Sequence, residues 1–158
     1  MSAVSDVRRA VATVPDPELP MITIEDLGIL RDVEVDDDGT VRVTITPTYA
    51  GCPAMDAIRS DIEATLPGRH VVVSTVLAPA WSTDDMTEAG RTSLAEAGIA
   101  PPGDRASPGA AVPLALTVRC PQCGSPDTRE LSRFGSTACK ALWVCRACAE
   151  PFDRFKEH

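Results

Sequence analysis

Residues 29–46, ILRDVEVDDDGTVRVTIT, carry the pattern that decides the fold of the first part of the chain. Apolar and polar residues alternate on both sides of Asp38-Gly39, which is typical of two β-strands. Val41, Val43 and Ile45 share one face of the second strand, because successive side chains of a strand point to opposite faces. Since Asp-Gly is a strong signal for a tight turn, the stretch predicts an antiparallel β-hairpin.

Helices are predicted on both sides of this hairpin. Before it, apolar residues of the segment 2–14 recur at three- and four-residue steps, and Pro15 ends the helix because proline cannot continue the hydrogen-bond ladder. After it, Pro53 is expected at the first position of a helix whose buried stripe is Met55, Ile58, Ile62 and Leu66. A strand at 70–77 and a helix from about 84 to 97 follow. This order predicts an α+β fold in which helices cover a small sheet.

Residues 99–113, IAPPGDRASPGAAVP, have no hydrophobic period and are rich in proline, glycine and alanine. Such a composition is typical of a linker that is semi-rigid where prolines cluster. We therefore expect three parts: an α+β domain over residues 1–98, a linker over 99–113, and a small cysteine-rich β module over 114–158.

Four of the six cysteines form two C-x-x-C pairs, Cys120 with Cys123 and Cys145 with Cys148, which are separated by 21 residues. Each pair predicts a tight knuckle that places two sulfurs on one side of a turn. Two facing knuckles complete a tetrahedral site, the arrangement of a zinc ribbon. Because four thiolates leave no open position, we expect one structural zinc ion per chain rather than a catalytic one.

Two alternatives remain open in this module. Four sulfurs also suit iron, which would make the module an electron carrier, although Ala149 stands where the first knuckle has Gly124. Cys139 could be a substitute ligand or a spare buried thiol, and its spacing to Cys145 favours the spare thiol.

Cys52, in Gly51-Cys52-Pro53, is expected to cap a helix, where free N–H groups and the helix dipole lower the pKa of a thiol from about 8.5. It could hold a metal or cluster transiently, or it could be a small buried apolar residue. Asp16 and Glu18 could form an acid–base pair, but a rigid turn with solvated acids is favoured. No phosphate-binding loop or hydrolase motif occurs, so we expect no catalytic residues.

Charge and hydropathy exclude several classes of function. The net charge is −8. Residues 1–100 carry 7 Lys and Arg against 17 Asp and Glu, which gives −10, while residues 101–158 carry 8 against 6, which gives +2. An acidic surface disfavours nucleic-acid binding. No apolar run approaches the roughly 20 residues of a membrane span, and the first residues lack a secretion signal. We therefore expect a cytoplasmic protein with no nucleic-acid or membrane partner.

With these motifs together, the chain resembles the PaaD family of the phenylacetyl-CoA epoxidase system. Its first part is similar to SufT-like iron–sulfur assembly domains, which share Asp16-Pro17-Glu18, Asp26-Leu27-Gly28 and Gly51-Cys52-Pro53. The segments WSTD at 81–84, FGSTACKAL at 134–142 and EPFD at 150–153 are also similar to PaaD. The resemblance raises the interest of Cys139 without assigning it a role.

The resemblance implies an accessory component, without catalytic activity of its own, of a multicomponent monooxygenase that epoxidises the ring of phenylacetyl-CoA. Other subunits, the oxygenase and the reductase, would be its partners. The implied role is maturation of an iron–sulfur or other metal centre, with Cys52, Asp16 and Glu18 as candidate residues for handling a transient iron–sulfur cluster. The alternative is an electron-transfer component with iron in the four-cysteine site, and a nucleic-acid adaptor is disfavoured by the acidic first domain.

Overall fold

The computed structural model describes residues 3–103 and 118–157. The chain divides at Gly90 into two compact units, residues 1–90 and 91–157. The predicted domain boundaries stay a prediction, because residues 104–113 of the expected linker and residues 114–117 of the expected module lie outside the described residues. No helix in the described ranges is long and apolar enough to cross a membrane.

The first unit is built on a three-stranded sheet in the order β1-β2-β3. Its elements in chain order are α1 (Ala3–Ala12), α2 (Ile24–Leu27), β1 (Leu30–Val35), β2 (Val41–Ile45), α3 (Ala54–Thr65) and β3 (Val71–Thr75). β1 and β2 form the expected antiparallel hairpin, with Val33 opposite Val43. β3 runs parallel to β2, which requires a crossover, and α3 supplies it. The α+β fold class is confirmed.

The core of this unit lies between the sheet and its helices. The inward face of β2, Val41, Val43 and Ile45, is fully buried, as the alternating pattern predicts. α3 contributes Ile58 and Ile62 from its apolar stripe, and both are also fully buried. At about 25 cal/mol per Å² of apolar surface, these side chains are the main stabilising term of the unit.

One element was not predicted, and two local expectations needed correction. Residues 24–27 form a one-turn helix, which is too short to show a period; Thr23 caps it and Gly28 ends it with a φ of 84°. Pro53 is the N-cap of α3 rather than its first residue. The helix expected from about 84 begins only at Glu88 as α4 (Glu88–Glu96), because Ser82 caps a separate 3₁₀ turn, Thr83–Asp85, and Met86 is extended.

The second unit contains a four-stranded sheet in the order β4-β7-β6-β5. Its strands are β4 (Ile99–Ala100), β5 (Thr128–Ser132), β6 (Lys140–Cys145) and β7 (Pro151–Phe155). β6 pairs antiparallel with both β5 and β7, and β4 pairs parallel with β7. Ile99 and Ala100, at the start of the predicted linker, are both buried and belong to this sheet as β4.

Candidate metal centre and the Cys52 site

The first knuckle of the metal centre is closed by main-chain hydrogen bonds. The Gly124 N–H donates to the Cys120 carbonyl oxygen at 2.8 Å, and the Cys120 N–H donates to the Ser125 carbonyl oxygen at 2.9 Å. Gly124 has a φ of 73°, the left-handed conformation that glycine adopts without strain. The Ser125 N–H donates to the Cys123 sulfur and lowers the pKa of that thiol, but the Cys145 sulfur and burial outweigh this hydrogen bond and raise the pKa above its usual value.

The second knuckle repeats this geometry at equivalent positions. The Cys145 N–H donates to the Glu150 carbonyl oxygen at 3.0 Å, and the Glu150 N–H donates to the Cys148 sulfur. Ala149 has a φ of 65° and so adopts the conformation of Gly124 in spite of its Cβ. In the sequence, the absence of a glycine at position 149 argued against an iron site. In the structure, Ala149 gives the second knuckle the same shape as the first, so this argument no longer holds.

The two knuckles bring four sulfurs together, as the spacing predicted. The Sγ atoms of Cys120, Cys123, Cys145 and Cys148 all lie within 4.8 Å of one another. The distances from Cys120 to Cys148 and from Cys123 to Cys145 are 3.7 Å and 3.6 Å, and neither pair is a disulfide. An ion bound tetrahedrally at about 2.3 Å from each sulfur separates the sulfurs by about 3.8 Å. The four cysteines thus form a group whose dimensions fit a tetrahedrally bound ion.

The charges of the four sulfurs also favour a bound cation. The pKa of the Cys145 thiol is lowered to about 7, chiefly because the Cys148 N–H donates to its sulfur. The Glu150 N–H lowers the pKa of Cys148, but burial and the neighbouring sulfurs outweigh it and raise that pKa to about 12. Four thiolates at these distances repel one another, so a bound divalent ion is needed to hold all four in the ionised form.

Cys139 lies outside this group of sulfurs. It immediately precedes β6, whereas Cys145 ends β6, and six residues of strand span about 20 Å. Its side chain is buried, and its sulfur lies 3.0 Å from the Thr137 hydroxyl oxygen. This geometry favours the spare thiol over the substitute ligand.

Cys52 is positioned by a turn rather than by the helix itself. The Cys52 N–H donates to the Tyr49 carbonyl oxygen at 3.3 Å, and Gly51 adopts a φ of 78°, so residues 49–52 form a β-turn. The Ala54 N–H and the Tyr49 side chain both form hydrogen bonds with the sulfur. Sequence reasoning missed Tyr49, although its place at the start of the turn could have indicated it.

The expected lowering of the Cys52 pKa is wrong. Its thiol is half-buried, and burial raises the pKa above its usual value more than the hydrogen bonds from Ala54 and Tyr49 lower it. The negative charges of Glu18 and Asp16 raise it further. Pro53 caps α3, so Cys52 stands one position before the cap and not at the cap that the sequence predicted.

Asp16 and Glu18 are therefore brought close to Cys52. The carboxylate oxygen Oδ1 of Asp16 accepts hydrogen bonds from the Glu18 and Leu19 N–H groups at 2.8 Å and 2.9 Å, which forms the rigid turn predicted for this motif. Asp16 is only 5 % exposed, so the expectation of a solvated acid is wrong for this residue. The charges of both acids act on the thiol, although 34 or more residues of sequence separate the acids from it.

The Asp26-Leu27-Gly28 turn is held in place by residues 81–87 of the same unit. The Trp81 Nε1–H donates to the Leu27 carbonyl oxygen at 2.8 Å, and the Thr87 hydroxyl donates to the Asp26 carboxylate at 2.7 Å. A Cβ on Gly28 would lie 2.5 Å from the Asp85 carbonyl oxygen. These contacts explain why a glycine follows Leu27 and what the WSTD segment packs against.

Comparison with known proteins gives matches to both parts of the chain. The family model of the PaaD zinc beta ribbon domain matches residues 105–156, and that of the iron-sulfur cluster assembly protein matches residues 5–74. A protein of Escherichia coli K12, which is provisionally named as a component of 1,2-phenylacetyl-CoA epoxidase, is 44 % identical over 156 residues. The matched residues cover 97 % of this chain and 92 % of that relative.

The first unit also has relatives of its own. An Fe-S protein maturation auxiliary factor of Porphyromonas gingivalis is 38 % identical over 87 residues, which cover 52 % of this chain and 82 % of that protein. The crystal structure of a domain of unknown function, DUF59, from Bacillus anthracis superposes with a TM-score of 0.54 at 29 % identity and covers 58 % of this chain and 90 % of that one.

Proposed function

The chain belongs to the PaaD family, and from this membership we propose that it is an accessory component of a phenylacetyl-CoA epoxidase system that assembles a metal centre in another subunit. The oxygenase or reductase subunits are then its partners, and the chain itself is not catalytic. The names of the maturation factors related to its first unit support this role. We place it in the cytoplasm, where its six free cysteines stay reduced.

The observation that carries the proposal is the position of Cys52 in an ordered turn before α3, where its half-buried thiol feels the charges of Glu18 and Asp16. A thiolate is a suitable ligand for cluster iron, and Cys52 is only half-buried. Because the raised pKa keeps the resting thiol protonated, binding of cluster iron must displace this proton. The iron–sulfur cluster is the cargo in this scheme and is held transiently.

The four-cysteine site has a different role in the proposal. Its coordination shell is complete with Cys120, Cys123, Cys145 and Cys148, so an ion there has no open position for substrate. We propose that it holds one structural zinc ion that stabilises the second unit.

The assembly role is tested by the iron content of the epoxidase. We expect subunits that are produced without this chain to be iron-deficient and inactive, and co-production of the wild-type chain to restore both properties. The Cys52→Ala variant should restore neither the iron content nor the activity, although it should still contain one zinc ion per chain. Cys139→Ala is the matched control and should restore both. Full iron content and turnover in the absence of the chain contradict the proposal.

Electron transfer through iron in the four-cysteine site is the second candidate. The left-handed conformation of Ala149 supports it, because both knuckles then have the same shape. Elemental analysis and a visible spectrum of anaerobically purified protein separate the two candidates. An iron-containing, coloured protein that bleaches on reduction favours electron transfer, whereas a colourless protein with one zinc ion excludes it.

A further inference from the structure

The tyrosine three residues before Cys52 contacts the sulfur of that residue. This sulfur accepts one hydrogen bond from the Ala54 N–H and one from the Tyr49 side chain. Almost any residue at position 54 could supply the main-chain bond. The second bond requires a hydroxyl, since the phenolic O–H is the only hydrogen-bonding group of a tyrosine side chain. The identity of residue 49 therefore bears directly on Cys52.

The turn that carries Tyr49 does not explain why this residue is a tyrosine. Main-chain atoms close the turn, because the Cys52 N–H donates to the Tyr49 carbonyl oxygen at 3.3 Å. The positive φ falls on Gly51, the third of the four residues, which is where a turn of type II has its positive φ. Every residue carries a main-chain carbonyl, so a different side chain at position 49 would leave the turn closed. The contact between the hydroxyl and the sulfur is thus additional to the turn.

The hydrogen bond between Tyr49 and Cys52 favours the ionised form of the sulfur. A thiolate can only accept hydrogen bonds, so in that state the Tyr49 O–H donates to it. Such a bond is stronger than one between neutral groups. Burial raises the pKa of Cys52 and keeps the thiol protonated at rest, while the contact with Tyr49 offsets part of this rise. The hydroxyl therefore matters most after the thiol proton has left.

We propose that Tyr49 is a positioning residue of the Cys52 site, whose hydroxyl orients the sulfur and stabilises the thiolate that binds iron of the cargo. The nature of the cargo rests on the proposed function, whereas the contact between the two side chains does not. When iron binds, a sulfur–iron bond replaces the sulfur–hydrogen bond and the proton passes to solvent water. Tyr49 keeps its own proton. Hydrogen bonds to sulfur ligands also tune the properties of iron–sulfur centres.

A purely structural role for Tyr49 is the main alternative. Its side chain is half-buried, so the ring also packs within the first unit. A phenylalanine at position 49 would keep this packing and the main-chain turn, and it would lose only the hydroxyl. The Tyr49→Phe variant therefore separates the two roles, because only the positioning role depends on the oxygen atom.

The pH dependence of Cys52 alkylation in the full-length, zinc-loaded chain tests the proposal. Iodoacetamide reacts with the thiolate, and mass spectrometry of the peptide that contains Cys52 gives the rate at each pH. We expect Tyr49→Phe to raise the midpoint of this profile by about half a pH unit or more, because the thiolate loses one hydrogen bond. Thr65→Ala is the matched control and should leave the midpoint unchanged. It removes a hydroxyl that donates to the Asp61 carbonyl oxygen at 2.8 Å, about 16 Å along α3 from its first residue.

Three results overturn the proposal: an unchanged midpoint in Tyr49→Phe, a lower midpoint in that variant, or an equal rise in Thr65→Ala. An unchanged urea unfolding curve verifies that Tyr49→Phe is folded. The iron content of the epoxidase is a separate readout. If the wild type restores iron and Tyr49→Phe has the wild-type profile, the positioning role is wrong and the assembly function stands. If the wild type restores no iron although the profile of Tyr49→Phe shifts, the assembly function is wrong and the contact between Tyr49 and Cys52 stands.

Discussion

The reactivity of Cys52 depends on three neighbouring groups rather than on its place near a helix. Burial, Glu18 and Asp16 raise the pKa of its thiol, and the hydrogen bonds from Ala54 and Tyr49 only partly offset them. A protonated thiol is a poor nucleophile and a poor metal ligand until its proton is removed. Removal of this proton must therefore accompany any alkylation of Cys52 or any binding of metal by it.

Removal of one of these charges should make Cys52 react faster. In Glu18→Gln the repulsion of the thiolate decreases, so the pKa of Cys52 falls and alkylation by iodoacetamide at about pH 8, near the usual thiol pKa, becomes faster than in the wild type. Glu63→Gln, which removes an exposed carboxylate from α3, is the control and should leave the rate unchanged. Mass spectrometry of the peptide that contains Cys52, over a pH series, measures the rate. An unchanged profile in Glu18→Gln would show that the two groups do not interact.

The sequence predicts some residues of the two candidate sites but not which residues lie near one another. The ligands Cys120 and Cys123 are predictable because the C-x-x-C spacing is local and fixes the knuckle by itself. The proximity of Asp16 to Cys52 is not predictable from periodicity, because it depends on how the turn after α1 packs near the start of α3. The direction of the Cys52 pKa shift was missed for the same reason, since burial is a property of the folded unit.

Among the elements, the short helix α2 depends most on contacts that are remote in sequence. Its four residues end at Gly28, which has a positive φ and lies against the backbone of Asp85. Helices of this length are not stable on their own. The Thr23 cap and the contacts from Trp81 and Thr87 therefore hold it in place, which explains why periodicity did not reveal it.

Gly28→Ala should destabilise the first unit strongly. The substitution adds left-handed strain and a clash with the Asp85 backbone, and we expect it to lower the free energy of unfolding by about 3 kcal/mol. Gly39→Ala is the control: Gly39 also has a positive φ, but its Cβ would meet open space, so a loss of about 1 kcal/mol is expected. Urea unfolding followed by circular dichroism measures both. Equal losses in the two variants would mean that the contact with Asp85 is unimportant.

At the level of the whole molecule, the two units should differ in what stabilises them. The first has a core of aliphatic side chains that needs no ion, including Val11, Ile45 and Ile62. The buried cluster of the second includes two of the four candidate metal ligands, Cys120 and Cys145, with Ala100, Val118 and Phe152 around them. We expect a small core of this kind to depend on a bound metal ion, because binding of a structural zinc ion supplies roughly 10–16 kcal/mol to such modules.

Metal removal should therefore unfold the second unit alone. After treatment with a chelator, we expect trypsin to cleave rapidly at Arg129, Arg146 and Arg154, while the segment that contains Arg31 and Arg42 stays protected by its own core. Because its four-sulfur site is incomplete, Cys123→Ser should show the same digestion pattern without chelator, and Cys139→Ala should digest like the metal-loaded wild type. Mass spectrometry of the fragments identifies the cleavage sites. If the second unit stayed protected after complete loss of the ion, the four cysteines would have no structural role. If trypsin cleaved both units at the same time, the two units would not be stabilised independently.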